Sequence, residues 1–287
     1  LDRRDEFARD IVEPFVDAYL TGRTPSPCAT CNQRIKIPAL VRAARLMGAE
    51  AVATGHYARV VEHPDGLRIA RGVDATKDQS YFLCALEQDV LCRLRLPLGS
   101  DTKEAVRAEA LTRGLVGAHK GESQDLCFVQ DSGYAAFVQQ RAGDRVRPGW
   151  IVDGRGKQLG RHEGVHRFTL GQRKGLGIAA GHPVYVSRID PASGTVVVDE
   201  EAAILVEHVA VADPVLAAGV VLPMHADVQV RYRHKGVPAT LSRNDRGELL
   251  VAFEQPVRAP SSGQFAVAYV NDEVVAGGII TSVATRR

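Results

Sequence analysis

After about residue 145 the hydrophobic pattern of this chain changes period, and that change restricts its architecture more than any single motif. Before it, Phe7, Ile11, Phe15 and Tyr19 recur every four residues, which predicts a helix over 2–20 that Gly22 ends. Pro38 opens a second helical pattern carrying Leu40, Val41, Ala44 and Leu46. The segment 50–54 then reads as a short buried strand closed by Gly55. Helix followed by apolar strand is the rhythm of an α/β layer. The segments 57–62 and 67–70 flank Pro64-Asp65-Gly66 and predict a hairpin, and helices are expected over 80–95, 102–114 and 134–141. Beyond the change, 183–190 and Thr195–Asp199 flank Pro-Ala-Ser-Gly as a hairpin. From 206 onward five or six strands follow at intervals of about ten residues, which predicts a small closed barrel or a sandwich. Over 227–233, Val228, Val230 and Tyr232 alternate with Gln229, Arg231 and Arg233, one face core and the other cationic. The chain is expected to be α/β over 1–143, β-rich over 144–205 and a β-barrel over 206–287.

A length of 287 residues suits two or three domains, and 45% hydrophobic with 24% charged residues is the balance of a globular protein. No apolar run approaches the ~18 residues of a membrane helix, so no membrane partner is expected. Five cysteines, an odd and sparse set, do not resemble a secreted disulfide framework and fit a reducing cytoplasmic compartment. Net charge is only +2, yet residues 141–180 carry nine Lys/Arg against three acids. Such a segment suits a localised polyanion contact, and equally a solvated loop.

Cys28 and Cys31 stand at C-x-x-C spacing in TPSPCATCNQRIK. A structural zinc needs four ligands, usually two such pairs, and Cys84, Cys92 and Cys127 form no second pair; no metal site is expected. A thioredoxin-type pair would open a helix after a strand, whereas helical, proline-rich sequence precedes this one. The remaining option is a nucleophile with a distant partner. Cys127, in GESQDLCFV, has Glu122 and Asp125 nearby to oppose its ionisation and His119 and Lys120 to favour it. Composition alone reads Cys127 as a buried strand cysteine. Thr54-Gly55-His56-Tyr57 ends a predicted parallel strand, where α/β sheets bind ligands, or is a simple turn. Lys77-Asp78-Gln79-Ser80-Tyr81 suits a phosphate backbone or an ordinary helix cap. Gly171-Gln172-Arg173-Lys174-Gly175-Leu176-Gly177 matches no nucleotide fingerprint and reads as a tight basic loop.

Taken in order, TPSPCATCNQRIK, ATGHYAR, KDQSYFL, GESQDLCFV, HRFTLGQRKGLGI, QVRYRH and SSGQFAVAYVNDEVVAGGII resemble the bacterial tRNA-specific 2-thiouridylases over essentially the whole chain. The resemblance implies a nucleotide-hydrolase-like α/β catalytic domain, present here in part, followed by two mainly β domains. It implies that sulfur replaces the C2 oxygen of the wobble uridine of tRNA. ATP, with Mg2+, adenylates that oxygen, and a cysteine persulfide loaded by a sulfur-relay protein delivers the sulfur. It assigns the persulfide to Cys127 and a partner thiol, able to form a transient disulfide with it, to Cys31. A persulfide can be cleaved by a second thiol, so the residue types suit these roles. Gly55 matches a nucleotide contact. His56, Lys77, Asp78, Gln79, Arg231, Tyr232 and Gln264 match tRNA contacts, and Ser26, Pro27 and Cys28 match the segment facing the target base. Two departures stand out. Family members often carry aspartate where this chain has Cys28. The family also begins with an ATP-pyrophosphatase loop of the SGGVDSS kind, and no such loop occurs in these residues. The expectation is either part of a full enzyme or a non-catalytic tRNA-binding module, with an open sheet edge and uncovered apolar faces in the α/β layer.

Overall fold

The computed structural model describes residues 1–116, 118–119, 126–129 and 133–285. An α/β region comes first, two mainly β regions follow, and the last is a closed antiparallel barrel of six strands.

Two long helices open the chain, and both contain a π-turn. The first runs through Arg4–Phe7, the π-turn Ala8–Val12 and Glu13–Leu20, burying Ile11, Phe15, Val16 and Tyr19. Gly22 ends it with φ +69°, and a Cβ there would lie 2.8 Å from Ile189 Cγ2, so the turn and the close packing both require glycine. The second helix starts at Pro27 rather than Pro38. It runs through Pro27–Cys31, the π-turn Asn32–Lys36 and Ile37–Leu46. Each π-turn ends two residues ahead of a proline, Pro14 or Pro38. A proline inside a helix lacks the N–H for the i−4 carbonyl, and its ring crowds that carbonyl. Widening the preceding turn relieves both.

β1 (Val52–Ala53) pairs in parallel with β4 (Leu94–Arg95). The predicted buried strand is therefore two residues long, and it is not buried: Val52 is half-buried and Ala53 exposed, because among the described residues β4 alone pairs with it. Leu46 and Met47, at the end of the second helix, are also exposed.

The predicted hairpin forms as β2 (Ala58–His63) and β3 (Gly66–Arg71), but it extends the barrel sheet through Ala70 opposite Glu273 instead of lying in the α/β layer. The helix expected over 80–95 is broken into a 3-10 turn, Ser80–Leu83, a short helix, Gln88–Leu91, and β4. Tyr81, Leu83, Cys84, Ala85 and Leu86 are all buried, which leaves no solvent face for an amphipathic helix. Helices do form at Lys103–Thr112, where Thr102 Oγ1 accepts from the Ala105 amide at 3.2 Å, and at Gly133–Ala142.

β5 (Gly149–Asp153), β6 (Gln158–His162), β7 (Tyr185–Asp190) and β8 (Thr195–Asp199) form the central sheet in the order β6-β5-β8-β7, with β5 and β8 parallel. The barrel closes through β9 (Leu205–Leu216), β12 (Leu249–Arg258), β11 (Val237–Arg243), β10 (Met224–Gln229), β13 (Phe265–Val270) and β14 (Glu273–Thr285), back to β9. Its core includes Val209, Val211, Val228, Leu241, Val251, Ala266, Ala268 and Ile280.

β13 is buried on both faces. Ala266 and Ala268 point into the barrel, and Phe265, Val267 and Tyr269 pack outward with Ile37, Val41, Tyr81 and Leu83. This second core fastens the cysteine-bearing helix to the barrel wall. Arg71 rivets the same junction: its guanidinium lies 3.7 Å over the Tyr269 ring and pairs with Asp78 at 3.2 Å. Val228 and Val230 point inward and Arg231 and Arg233 are exposed, as the alternation predicts. Gln229 departs from it, buried with its side-chain amide on the His234 carbonyl.

Candidate functional site

Cys28 and Cys31 lie three apart in the first turn of the second helix, so they share one face. That face is aimed by the chain entering the helix. The Thr24 amide donates to the Ser262 carbonyl at 3.0 Å, and Gln264 Nε2 donates to the carbonyls of Thr24 and Pro25 at 3.0 and 3.1 Å. Gly263 closes the contact at φ +95°, where a Cβ would stand 3.0 Å from the Thr24 oxygen. Further along, Asn32 Nδ2 donates to the Phe82 carbonyl at 3.2 Å. Ser26 and Pro27 are buried; Ser26 precedes the helix without capping it, and Pro27 takes a first-turn position where no amide is missed.

Cys127 reaches the same place from 96 positions away. It is exposed and lies in a turn closed by the Val129 amide on the Leu126 carbonyl at 2.9 Å, not in the buried strand that composition suggests. The cause is Phe128. Its ring packs edge-on against Phe7, Phe15 and Phe137, with centroids 5.7, 5.1 and 5.4 Å away. Burying Phe128 in that aromatic cluster turns Cys127 outward.

Cys28, Cys31 and Cys127 then line one cavity of about 450 Å³. Phe7, Ile11, Ile35 and Phe128 supply apolar wall, and Lys36, Arg3 and Arg4 supply cations. Burial pushes the Cys31 thiol above the usual range. Lys36 opposes this through its ammonium and its backbone amide, and Cys127 adds to the rise. Burial also raises Cys28, with Cys127 the next cause and Lys36 again opposing. Both are therefore mainly thiols at neutral pH, held beside an exposed third. Lys36 escaped the sequence reading although it lies inside the quoted motif. Five residues after Cys31 it would sit off-face in an α-helix, and only the π-turn returns it. Among the candidate cations and acids around Cys127, His119 is exposed, while Lys120, Glu122 and Asp125 lie outside the described residues.

Gly55 is exposed at the end of β1. A Cβ there would meet only Leu98 Cδ1, at the ordinary distance of 3.6 Å, so no protein atom demands glycine and the space above it is open to a ligand. Next to it, His56 Nδ1 shares a hydrogen bond of 2.8 Å with Thr54 Oγ1. Burial, and then Lys36, lowers the His56 pKa to about 4, so the ring is neutral at pH 7.

The structure gives the Lys77-Asp78-Gln79 run internal partners, beginning with the Lys77 amide on the Asp74 carbonyl at 3.0 Å. Asp78 accepts from the amides of Gly72 and Ser80 at 2.9 and 3.1 Å and from Ser80 Oγ at 2.8 Å. Gln79 grips Tyr57 twice, its Oε1 accepting from the Tyr57 amide at 2.9 Å and its own amide donating to the Tyr57 carbonyl at 2.8 Å. Lys77 is half-buried beside them. Tyr232 packs with its ring tilted against Phe82, centroids 4.4 Å apart, where the barrel meets the cysteine-helix anchor, and Arg231 donates to the Arg258 carbonyl at 3.2 Å. In the central region Arg173 and Lys174 project from a loop pinned by buried Leu176, by the Gly171 amide on the Val186 carbonyl, and by Gln172. Among the described residues no group of three or more His, Cys, Asp or Glu is placed to hold a metal ion, and no helix is long and apolar enough to cross a membrane.

Three family models match in order: a tRNA methyl transferase HUP domain at residues 1–131, a tRNA methyl transferase PRC-barrel domain at 135–200 and an aminomethyltransferase beta-barrel domain at 206–280. A tRNA-specific 2-thiouridylase MnmA of Sorangium cellulosum is 50% identical over 284 residues, covering 97% of this chain and 74% of that protein. The MnmA of Syntrophotalea carbinolica is 46% identical, over 98% of this chain and 80% of its own length. The MnmA of Geobacter metallireducens is 43% identical, over 98% and 77%.

The chain belongs to the tRNA-specific 2-thiouridylase family.

The two sets of names differ in the group transferred, methyl or sulfur. The site of this 2-thiouridylase-family chain bears on that difference, since it is built around three thiols with a lysine beside them.

Proposed function

We propose that the chain carries out 2-thiouridine synthesis in tRNA, with Cys127 as the persulfide carrier and Cys31 as its partner thiol. The observation that carries this reading is the convergence of the two cysteines, distant in sequence, on one cation-bearing cavity. Cys127 is exposed, so a protein donor can load it; Cys31 is half-buried, so it is kept from casual oxidation. A wobble uridine must leave its stack to reach the cavity, as bases do for other base-modifying enzymes. The wall of Phe7, Ile11 and Phe128 offers its ring an apolar surface. With the carrier written Cys127–S–SH, attack by the terminal sulfur on C2 of the activated uridine forms the C–S bond and expels the activated oxygen. Attack by Cys31 on Cys127 Sγ then forms a Cys31–Cys127 disulfide and leaves the sulfur on the base. If Cys31 attacks first, sulfide leaves and becomes the nucleophile; both routes end with the same disulfide.

ATP supplies the activation of the C2 oxygen in this scheme. The open edge at Gly55 fits a nucleotide contact, and neutral His56 fits a hydrogen bond to a base or ribose. The described residues contain no glycine-rich cradle for phosphates. The tRNA backbone is assigned to Arg173, Lys174 and Arg231, and Tyr232 is positioned to meet a base or sugar. In this reading Asp78, Gln79 and Gln264 act by positioning, since their side chains hold the hairpin and the cysteine helix.

The test is the 2-thiouridine content of tRNA from cells whose full-length gene carries Cys127→Ala. Loss is expected, and normal thiolation would refute the assignment. Incubating the 287-residue chain with ATP, tRNA and a persulfide donor addresses a narrower role: thiouridine formation excludes tRNA binding alone.

A further inference from the structure

Trp150 is the only tryptophan of the chain, and no hydrophobic core of the described residues includes it. It is half-buried on β5. Its neighbour Ile151 points into the central core with Val196 and Val198, so alternation puts Trp150 on the opposite face of the sheet. There it stands directly across from Arg161 of β6, whose guanidinium lies 4.4 Å over the indole ring. A threonine or valine would serve the strand as well and leave less apolar area in water. The surroundings are cationic. β6 is an edge of the four-stranded sheet, and the β5–β6 turn carries exposed Arg155 and Lys157. That turn is fixed, because Asp153 Oδ1 accepts from the backbone amides of both residues, each at 2.9 Å. Asp153 is the only acid over 149–162, against Arg155, Lys157 and Arg161. Unpaired RNA is gripped by surfaces of this kind: bases stack on aromatic rings and on guanidinium planes, and cations beside them take the phosphates. None of the tRNA contacts that the sequence resemblance implies lies in this region.

We infer that Trp150 and Arg161 form a stacking platform for an unpaired base of the tRNA, with Arg155 and Lys157 on the phosphates beside it. The inference rests on the proposal above that tRNA is the substrate, and it extends the RNA footprint to the outer face of the central sheet. A duplex keeps its bases stacked on one another and out of reach, so the platform takes only nucleotides outside paired stems. Every base has a flat face, so the contact adds affinity and not sequence choice. A cross-strand aromatic–cation pair that only steadied the hairpin would answer in melting temperature and not to RNA.

The single tryptophan makes the test direct. Indole fluorescence of the full 287-residue chain is followed as tRNA is added, beside filter binding of the same tRNA. Quenching that saturates with the binding curve is expected. A single-stranded RNA oligonucleotide should quench as well, and a fully paired RNA duplex should not. Trp150→Leu is expected to raise the Kd for tRNA about tenfold and leave the slope of log K on log salt unchanged, and Trp150→Phe to restore most of the affinity. Arg161→Gln should weaken binding and lower that slope by roughly 0.7–0.9. Bound tRNA with unchanged indole fluorescence and an unchanged Kd in Trp150→Leu would overturn this inference and leave the tRNA reading intact. Equal quenching by the duplex would overturn it too, as would a Kd that rises only with a fall in melting temperature and is not rescued by phenylalanine. If the parent chain binds no tRNA at all, the reading on which the inference rests fails first.

Discussion

Lys36 shares the cavity with Cys31 and is the cation that opposes the burial holding this thiol protonated, so its contribution is measurable at a single residue. Replacing it with glutamine removes the charge that favours the Cys31 thiolate. Alkylation of Cys31 by iodoacetamide at pH 8, followed by peptide mass spectrometry, is expected to slow several-fold in Lys36→Gln and to recover in Lys36→Arg. In both proteins the rate should climb with pH, because the thiol titrates above its usual range. His56 gives the opposite sign. Its folded pKa is about 4 against an ordinary 6.5, so between those values the unfolded chain binds a proton that the folded chain refuses. This contribution is complete above about pH 6.5 and is lost as pH falls toward 4, by at most about 3 kcal/mol. Urea unfolding at pH 7 and pH 4.5 should show a smaller acid loss for His56→Gln than for the parent. Equal losses would mean that the ring titrates as an exposed histidine does. Neither effect was legible in the sequence. His56 stood out as the end of a strand, but its neutrality comes from burial and from a lysine on another element.

At the scale of elements, the prolines explain what the residues alone do not. Pro38 was read as the start of a helix because prolines favour first turns, yet here the helix runs through it, and the π-turn Asn32–Lys36 absorbs the conflict. Pro14 and the π-turn Ala8–Val12 repeat the arrangement, so the signal was present in the sequence as a proline inside an otherwise helical period. The helix predicted over 80–95 failed for a different reason. Its run of Tyr81, Leu83, Cys84, Ala85 and Leu86 is buried on all sides against β13 and the second helix, and periodicity carries no information where every face is core. The hairpin was legible from Pro64-Asp65-Gly66, but its attachment to β14 was not, because edge pairing depends on a partner two hundred positions away. The π-turn makes a testable claim. Pro38→Ala restores the missing amide and removes the crowding, so the turn is expected to relax toward an α-helix and carry Lys36 away from Cys31. Alkylation of Cys31 should slow as it does in Lys36→Gln, while thermal stability stays equal or rises. Slowing accompanied by a large fall in melting temperature would point instead to general loosening of the helix.

Across the whole molecule the cysteine cavity and the basic loop belong to different regions joined through the barrel and the first helix, and charge is distributed accordingly. The concentration of Lys and Arg over 141–180 was visible in the sequence, and the structure shows Arg173 and Lys174 both exposed on a loop whose backbone is fixed from beneath. Fixed cations on a rigid loop suit phosphates at set spacing, and they act at a distance from the thiols. Their removal should therefore separate binding from chemistry. Each lost phosphate contact lowers the dependence of log K on log salt by roughly 0.7–0.9, so Arg173→Ala with Lys174→Ala is expected to reduce the slope for tRNA by about 1.5. The same variant should leave alkylation of Cys31 by iodoacetamide unchanged, since none of the lost charges lines its cavity. Filter binding of tRNA at several salt concentrations, read beside that alkylation rate, distinguishes the outcomes. A reduced slope with an unchanged alkylation rate places the loop on the RNA, an unchanged slope removes it from the interface, and a changed alkylation rate would show that the loop and the cavity are coupled through the fold.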